Sequence, residues 1–306
     1  MTSINVMLIM FSRFIRKAVK VCLPYGIVIL VRKYRFKKSV QMRLKQRETL
    51  RFSVHLVDHC NLNCKCCFAC ACIADEKYIA VDVFEKDCKR MYELAGNKVD
   101  LMILSGGEPL LHPEILKIFD IAGKYFGKSV IMLITNGILL EKQKDDFWEN
   151  CRRNNVKVSV TRYPINIPLA KIKQTAKKHK VVLEYFVGTE IDIRKAMSKV
   201  PFNLAGGENP QKSFELCKKA NTCIVLEEGK LYTCSTIPAV KHFNKRFGVN
   251  LEVCDKDYVN IYRINSITEI FEFLNKPMPF CRYCNVKGTV NHIEWSVSKK
   301  EITEWI

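Results

Sequence analysis

The sequence has no apolar run long enough to cross a bilayer. Its best candidate, Val21–Val31, is eleven residues interrupted by Pro24 and Gly26, whereas roughly 30 Å of hydrocarbon takes about 20 residues. No charged stretch precedes Met7–Phe11, so a secretory signal is not expected. Residues 1–47 contain no aspartate or glutamate. Cysteine, at 15 of 306 residues, is too sparse for a small disulfide scaffold and too clustered for packing residues alone. No nucleic-acid-binding motif is present, and aromatic residues are thinly interleaved with the basic ones, which puts nucleic acid last among the partners considered.

What is present bounds the rest. An apolar content of 48% excludes intrinsic disorder, and 306 residues allow two domains or one large domain with an appendage. The net charge is +19, from 50 basic and 31 acidic residues, and twelve of the basic residues lie in 1–47. That segment therefore carries +12 and the other 259 residues +7. Ile4, Met7, Leu8, Phe11, Phe14, Ile15, Ala18, Val19 and Cys22 recur at helical spacing opposite Arg13, Arg16, Lys17 and Lys20. An amphipathic basic helix is expected, read first as a peripheral anchor on an anionic membrane. A helix packed on the protein's own core and a phosphate-binding face are the other readings.

From residue 50 to 190 strand and helix patterns alternate. Strands are expected at 51–57, 99–104, 130–134, 156–160 and 181–187. Helices are expected at 81–95, 113–126, 141–154 and 169–180. This order implies parallel strands with right-handed crossovers, in a partial barrel or an open doubly wound sheet, with ligands at the strand C-termini. Three motifs fall at those ends. A cysteine cluster follows the first strand, Ser105-Gly106-Gly107-Glu108-Pro109 the second, and Thr135-Asn136-Gly137 the third.

The cluster holds six thiols in thirteen residues: Cys60, Cys64, Cys66, Cys67, Cys70 and Cys72. Neighbours that close do not pair as unstrained disulfides. Structural zinc normally takes two separated ligand pairs, so an iron–sulfur cluster is the better reading. Two registers compete. Cys64, Cys67 and Cys70 have the spacing of bacterial ferredoxins, but Ala74 and Asp75 stand where that run needs Cys and Pro. Cys60, Cys64 and Cys67 give a C-x3-C-x2-C spacing, whose three ligands leave one iron of a four-iron cluster open.

The run Cys60-Asn61-Leu62-Asn63-Cys64-Lys65-Cys66-Cys67 after one strand, Gly106-Gly107-Glu108-Pro109 after the next, and the βα alternation together resemble the radical S-adenosylmethionine (SAM) enzymes over residues 50–190. Cys66 departs from that pattern, which usually has an aromatic residue before the third ligand. The resemblance implies an α/β fold, a partial (β/α)6 TIM-like barrel. It implies a [4Fe–4S] cluster on Cys60, Cys64 and Cys67, with SAM chelated at the open iron. Reductive cleavage would then yield a 5′-deoxyadenosyl radical that abstracts hydrogen from a substrate. Gly106, Gly107, Glu108, Thr135, Asn136 and Ser159 are the SAM contacts it implies, with a structural role in the turn the alternative for Glu108. Cys70 and Cys72 are read as buried small apolar residues.

Further on, Cys217, Cys223, Cys234, Cys254, Cys281 and Cys284 surround a hairpin at 224–233 and a helix at Ile267–Leu274 opened by the capping box Ser266–Glu269. This looks like the twitch module, the shortened SPASM domain that follows some radical SAM barrels. The resemblance implies that Cys217, Cys234, Cys281 and Cys284 ligate a second [4Fe–4S] cluster, in a small C-terminal cluster-binding α+β module. A zinc ribbon on the same residues is the rival, and Cys223 is the alternative to Cys217.

The organisation expected is a basic N-terminal segment (1–48), a barrel core (49–205) and an auxiliary module (206–306). The activity expected is radical SAM oxidation or dehydrogenation of a sugar, polyol or peptide, with a flavodoxin or ferredoxin as reductant, in the cytoplasm or at the inner face of the membrane. The reading from another class is a non-catalytic iron–sulfur carrier or zinc-binding scaffold.

Overall fold

The computed structural model describes residues 48–186 and 188–306. The expected amphipathic helix and the Val21–Val31 run lie outside the described residues. Among the described residues no helix is long and apolar enough to cross a membrane.

Alternation along each strand separates two environments. In β1 (Leu50–Val57), Phe52, Val54 and Leu56 are buried in the main core, while Arg51, Ser53 and His55 line an internal cavity. β2 (Val99–Gly106) repeats this, with Met102 and Leu104 in the core and Leu101, Ile103 and Ser105 on the cavity. In β3 (Val130–Thr135), Ile131 and Leu133 are core residues and Ile134 faces the cavity. β4 (Val156–Val160) and β5 (Leu183–Tyr185) complete the run.

The core face is covered by α1 (Val81–Ala95), α2 (Ile115–Phe126), α3 (Asp145–Arg153) and α4 (Leu169–Lys178). Their Phe84, Met91, Ile118, Phe119, Phe147, Trp148 and Ile172 join the same apolar cluster. Burying each such side chain contributes roughly 1.5–3 kcal/mol. Helix α2 starts at Ile115 rather than at Pro113, because the His112 ring accepts from the Glu114 N–H at 3.1 Å and bonds the Ile79 carbonyl at 2.9 Å. The helix expected over 141–154 is divided: a 3-10 turn at Leu140–Lys142 precedes α3.

With β7 at Val225–Glu227, β8 at Lys230–Tyr232 and β9 at Tyr258–Asn260, the sheet order is β5-β4-β3-β2-β1-β7-β8-β9. Every pairing from β5 to β7 (Val225–Glu227) is parallel. The expected six parallel strands are therefore present, but the sixth does not follow β5. It comes from the C-terminal region and lies on the other side of β1, with Ser53 opposite Val225 and Val54 opposite Leu226. β8 (Lys230–Tyr232) and β9 (Tyr258–Asn260) extend that edge antiparallel. The hairpin turns at Gly229 (φ +77°), whose N–H bonds the buried Asp87 carboxylate of α1 at 2.8 Å. β6 (Ala196–Lys199) leaves the sheet and pairs with β10 (Val290–Glu294) in a separate ribbon.

Three further helices are α5 (Pro210–Leu216), α6 (Thr236–Phe247) and α7 (Ile267–Leu274). The capping box read from Ser266 and Glu269 opens α7, with the Glu269 carboxylate accepting from the Ser266 N–H at 3.1 Å. A second apolar cluster, including Phe202, Tyr232, Phe243, Phe280 and Trp305, lies between the cysteine loop and these elements.

Candidate functional site

The strand exits converge on a cavity of about 360 Å3, within the roughly 300–1,000 Å3 usual for small-molecule sites. Cys60, Cys64 and Cys67 line it together with Gly106, Gly107, Thr135 and Asn136. Cys66 and Cys70 do not line it; both take positive φ, +56° and +52°, and are buried. Cys70 and Cys72 pack in the second apolar cluster, and Cys72 also reaches the cavity wall.

The two glycines have a role the sequence does not disclose. A Cβ on Gly107 would stand 1.9 Å from the His59 carbonyl oxygen, and one on Gly106 would stand 2.4 Å from that of Val57. The Gly107 N–H donates to Val57 O at 2.7 Å and the Glu108 N–H to His59 O at 3.1 Å. The glycines thus let the second strand exit lie flat on the first and set the cysteine loop against the cavity.

Two expected SAM contacts are placed differently. Glu108 does not line the cavity. Its carboxylate accepts from Leu110 N at 3.1 Å, Thr135 Oγ1 at 2.7 Å and Asn136 N at 2.9 Å, tying the second and third strand exits together. Ser159 shares the sheet face of its register partner Ile134, but it is buried in β4 and does not reach the cavity; Thr161 and Tyr163, beyond the strand end, do.

Burial raises the Glu108 pKa to about 7, against the pull of the three hydrogen bonds it accepts. The folded chain then keeps a proton that the unfolded chain loses near the ordinary value of 4.5. The stability this contributes is full below that value and declines as pH rises toward about 7. Glu108→Gln is expected to flatten the decline and to cost about 1–3 kcal/mol, because an amide NH2 replaces an accepting oxygen. Denaturant unfolding of both chains at about pH 5 and about pH 8 reads both effects.

The thiols sit among N–H donors. Cys60 Sγ accepts from Leu62 N at 3.4 Å and faces Asn136 Nδ2 at 3.8 Å; that amide also donates to Asn61 Oδ1 at 2.8 Å. Cys64 Sγ accepts from the Trp295 indole at 3.2 Å. Burial pushes the Cys60 thiol up to about 12, with the charges of Glu108 and Cys67 adding to it. A thiol raised so far stays protonated near neutrality unless a metal cation replaces the proton. Among the described residues no group of three or more His, Cys, Asp and Glu side chains is set close enough to hold a metal ion. The chemistry of the donor set, three thiols lining one cavity with N–H groups set toward the sulfurs of Cys60 and Cys64, fits an iron–sulfur cluster, whose usual ligands are thiolates.

Four further cysteines, Cys217, Cys234, Cys281 and Cys284, influence one another in the C-terminal region. Cys217 ends α5, Cys234 follows β8, and Cys281 and Cys284 lie on the turn Pro279–Tyr283 and just after it. The Ser213 hydroxyl of α5 donates to Cys284 O at 3.1 Å. Burial raises the Cys281 thiol to about 12, and Cys234 and Cys217 raise it further. Cys223 lines the main cavity instead, bridged to Cys234 through the backbone.

Residues 48–163 match the family described as a 4Fe-4S single cluster domain. Over 90 residues the chain is 38% identical to the GTP 3',8-cyclase of Chlorobaculum tepidum (strain ATCC 49652 / DSM 12025 / NBRC 103806 / TLS), matching 29% of this chain and 26% of that protein. The GTP 3',8-cyclase of Microcystis aeruginosa (strain NIES-843 / IAM M-2473) is 30% identical over 122 residues, 37% of this chain and 35% of that one. The chain thus spans about a quarter to a third of these curated relatives. Among solved structures, BtrN in complex with AdoMet and 2-DOIA is 15% identical with a TM-score of 0.46, over 78% of this chain and 93% of that one.

Two residues of the site carry no local sequence signal. Trp295 reaches Cys64 across 231 positions. Arg194 reaches the cavity just before β6 and lies over the Tyr163 ring at 5.9 Å.

Proposed function

We propose that this chain is a radical SAM enzyme in which Cys60, Cys64 and Cys67 hold a [4Fe–4S] cluster and SAM binds in the adjoining cavity. The observation that carries this is that those three thiols line one cavity together with Gly106, Gly107, Thr135 and Asn136. Cluster and SAM together supply the radical chemistry: reductive cleavage of the sulfonium and hydrogen abstraction from a substrate. The chain's own residues shape and shield. Leu101, Ile103, Ile134, Phe186 and Met197 give the cavity apolar walls that exclude water. Arg194 brings positive charge to a cavity whose described lining contains no Asp or Glu, which suits an anionic group, the SAM carboxylate or an acidic substrate. Sugars, polyols and peptides remain the substrate classes, and oxidation or dehydrogenation the outcome. Anaerobic reconstitution followed by dithionite and SAM tests the assignment: 5′-deoxyadenosine is expected, and a loaded chain that forms none is an electron carrier instead.

The second thiol set, Cys217, Cys234, Cys281 and Cys284, we assign to an auxiliary [4Fe–4S] cluster in the 206–306 module. Cys234, Cys281 and Cys284 pack against the same apolar cluster as Cys67, so the two thiol sets adjoin one core. Metal analysis is expected to give about eight irons per chain, two four-iron clusters. About four irons with one zinc would make the second site a zinc ribbon.

A further inference from the structure

We propose that Trp295 sets the reduction potential of the cluster at Cys60, Cys64 and Cys67 by donating its indole N–H to the Cys64 sulfur. This inference rests on the ligand set proposed above. The Nε1–Sγ distance is 3.2 Å, the shortest N–H contact described to a cysteine sulfur of this loop. Indole nitrogen is a donor only, so the bond has one direction, toward charge on sulfur.

The geometry is held from both sides. Trp295 N donates to Lys195 O at 2.8 Å, fixing the residue to the segment that leads into β6. Just beyond it, Lys65 N donates to Ser296 O at 2.9 Å, Ser298 N donates to Asn63 O at 2.7 Å, and Cys64 forms a β-bridge with Val297. The segment 296–298 is thus bridged to the cysteine loop. The indole ring packs near Tyr163, with centroids 6.1 Å apart. A residue that only filled space would not need its N–H set against a thiol by three backbone hydrogen bonds.

The physical consequence follows from charge. Reduction adds an electron that is shared with the ligand sulfurs, so an N–H donor on sulfur stabilises the reduced state more than the oxidised one and raises the potential. Trp295 is a positioning residue here, acting through Cys64 rather than on substrate.

The test is an EPR-monitored redox titration of the full, anaerobically reconstituted chain, following the signal that SAM perturbs. Trp295→Phe keeps the ring and removes the donor. It is expected to keep its iron and sulfide, while the reduced-to-oxidised ratio at a fixed solution potential falls about tenfold, close to 59 mV for a one-electron couple. Full iron content with an unchanged midpoint would overturn the inference. Pulse EPR of the Trp305→Phe chain carrying 15N-indole tryptophan gives a second readout, because the Trp305 indole donates to Cys67 O at 2.9 Å and would otherwise contribute a coupling of its own. A nitrogen coupling to the reduced cluster is expected, and its absence would also overturn the proposal. Failure of the underlying ligand set looks different: Cys64→Ala would then retain the SAM-perturbed signal and its iron.

Discussion

Cys60→Ala is expected to bring 5′-deoxyadenosine formation down to the level of a protein-free control and to remove the SAM-perturbed cluster, while the chain stays folded. Cys60 is partly exposed on the cavity wall, its backbone belongs to a loop pinned elsewhere, and its loss opens no hole in the main core. With only three thiolates holding the cluster, removing one leaves a second iron without a protein ligand. Cys70→Ala is the contrast. Cys70 is 1% exposed within the second apolar cluster, so its truncation is expected to cost about 1 kcal/mol of stability and no iron. Iron content, the EPR signal and product formation in the two variants separate the registers. Loss of the cluster from Cys70→Ala with retention in Cys60→Ala would make Cys64, Cys67 and Cys70 the ligands.

The second large effect is expected at Gly107. Alanine there places a methyl group 1.9 Å from the His59 carbonyl oxygen and 2.4 Å from its carbon. The obstacle is backbone, so no side chain can swing aside. Either strand exit must move, which breaks the bonds from Gly107 N to Val57 O and from Glu108 N to His59 O. Overpacking of this kind costs about 1–3 kcal/mol, which lowers the melting temperature by about 2–4 °C per kcal/mol in a chain of this size. The functional loss is expected to exceed the stability loss, because residues 57–59 lead directly into Cys60. Thermal unfolding and iron content read the two together. A stable variant with full iron would show that the exits are not held by this contact.

Much of this architecture is legible in local pattern. The helix at Val81–Ala95 and the helix at Ile267–Leu274 lie where periodicity and the Ser266–Glu269 box put them. β1 through β4 are legible because one face of each is continuously apolar beneath helices. β5 is shorter than its apolar run, and only Leu183–Tyr185 pairs with β4. Helix α6 is not among the expected helices; Pro238 stands in its first turn, where proline is tolerated. The ribbon of β6 and β10 joins segments about a hundred residues apart through Ala196-Met197-Ser198-Lys199, which has no strand pattern of its own.

The site divides in the same way. The thiols, glycines, Thr135 and Asn136 are legible as motifs at strand exits. Glu108 lies in the motif but turns inward, because three donors of the neighbouring turns outcompete the cavity for its carboxylate. Ser159 sits one turn of the pleat too deep in β4. Trp295 and Arg194 arrive through tertiary packing alone, so nothing in their neighbours announces them.

The measurement closest to the central claim is EPR of the reduced, anaerobically loaded chain before and after SAM is added. An iron left free by a three-thiolate site is expected to take SAM, so one cluster signal should shift while the signal of the fully ligated auxiliary cluster stays unchanged. Spectra that superimpose with and without SAM, at full iron content, would contradict the account.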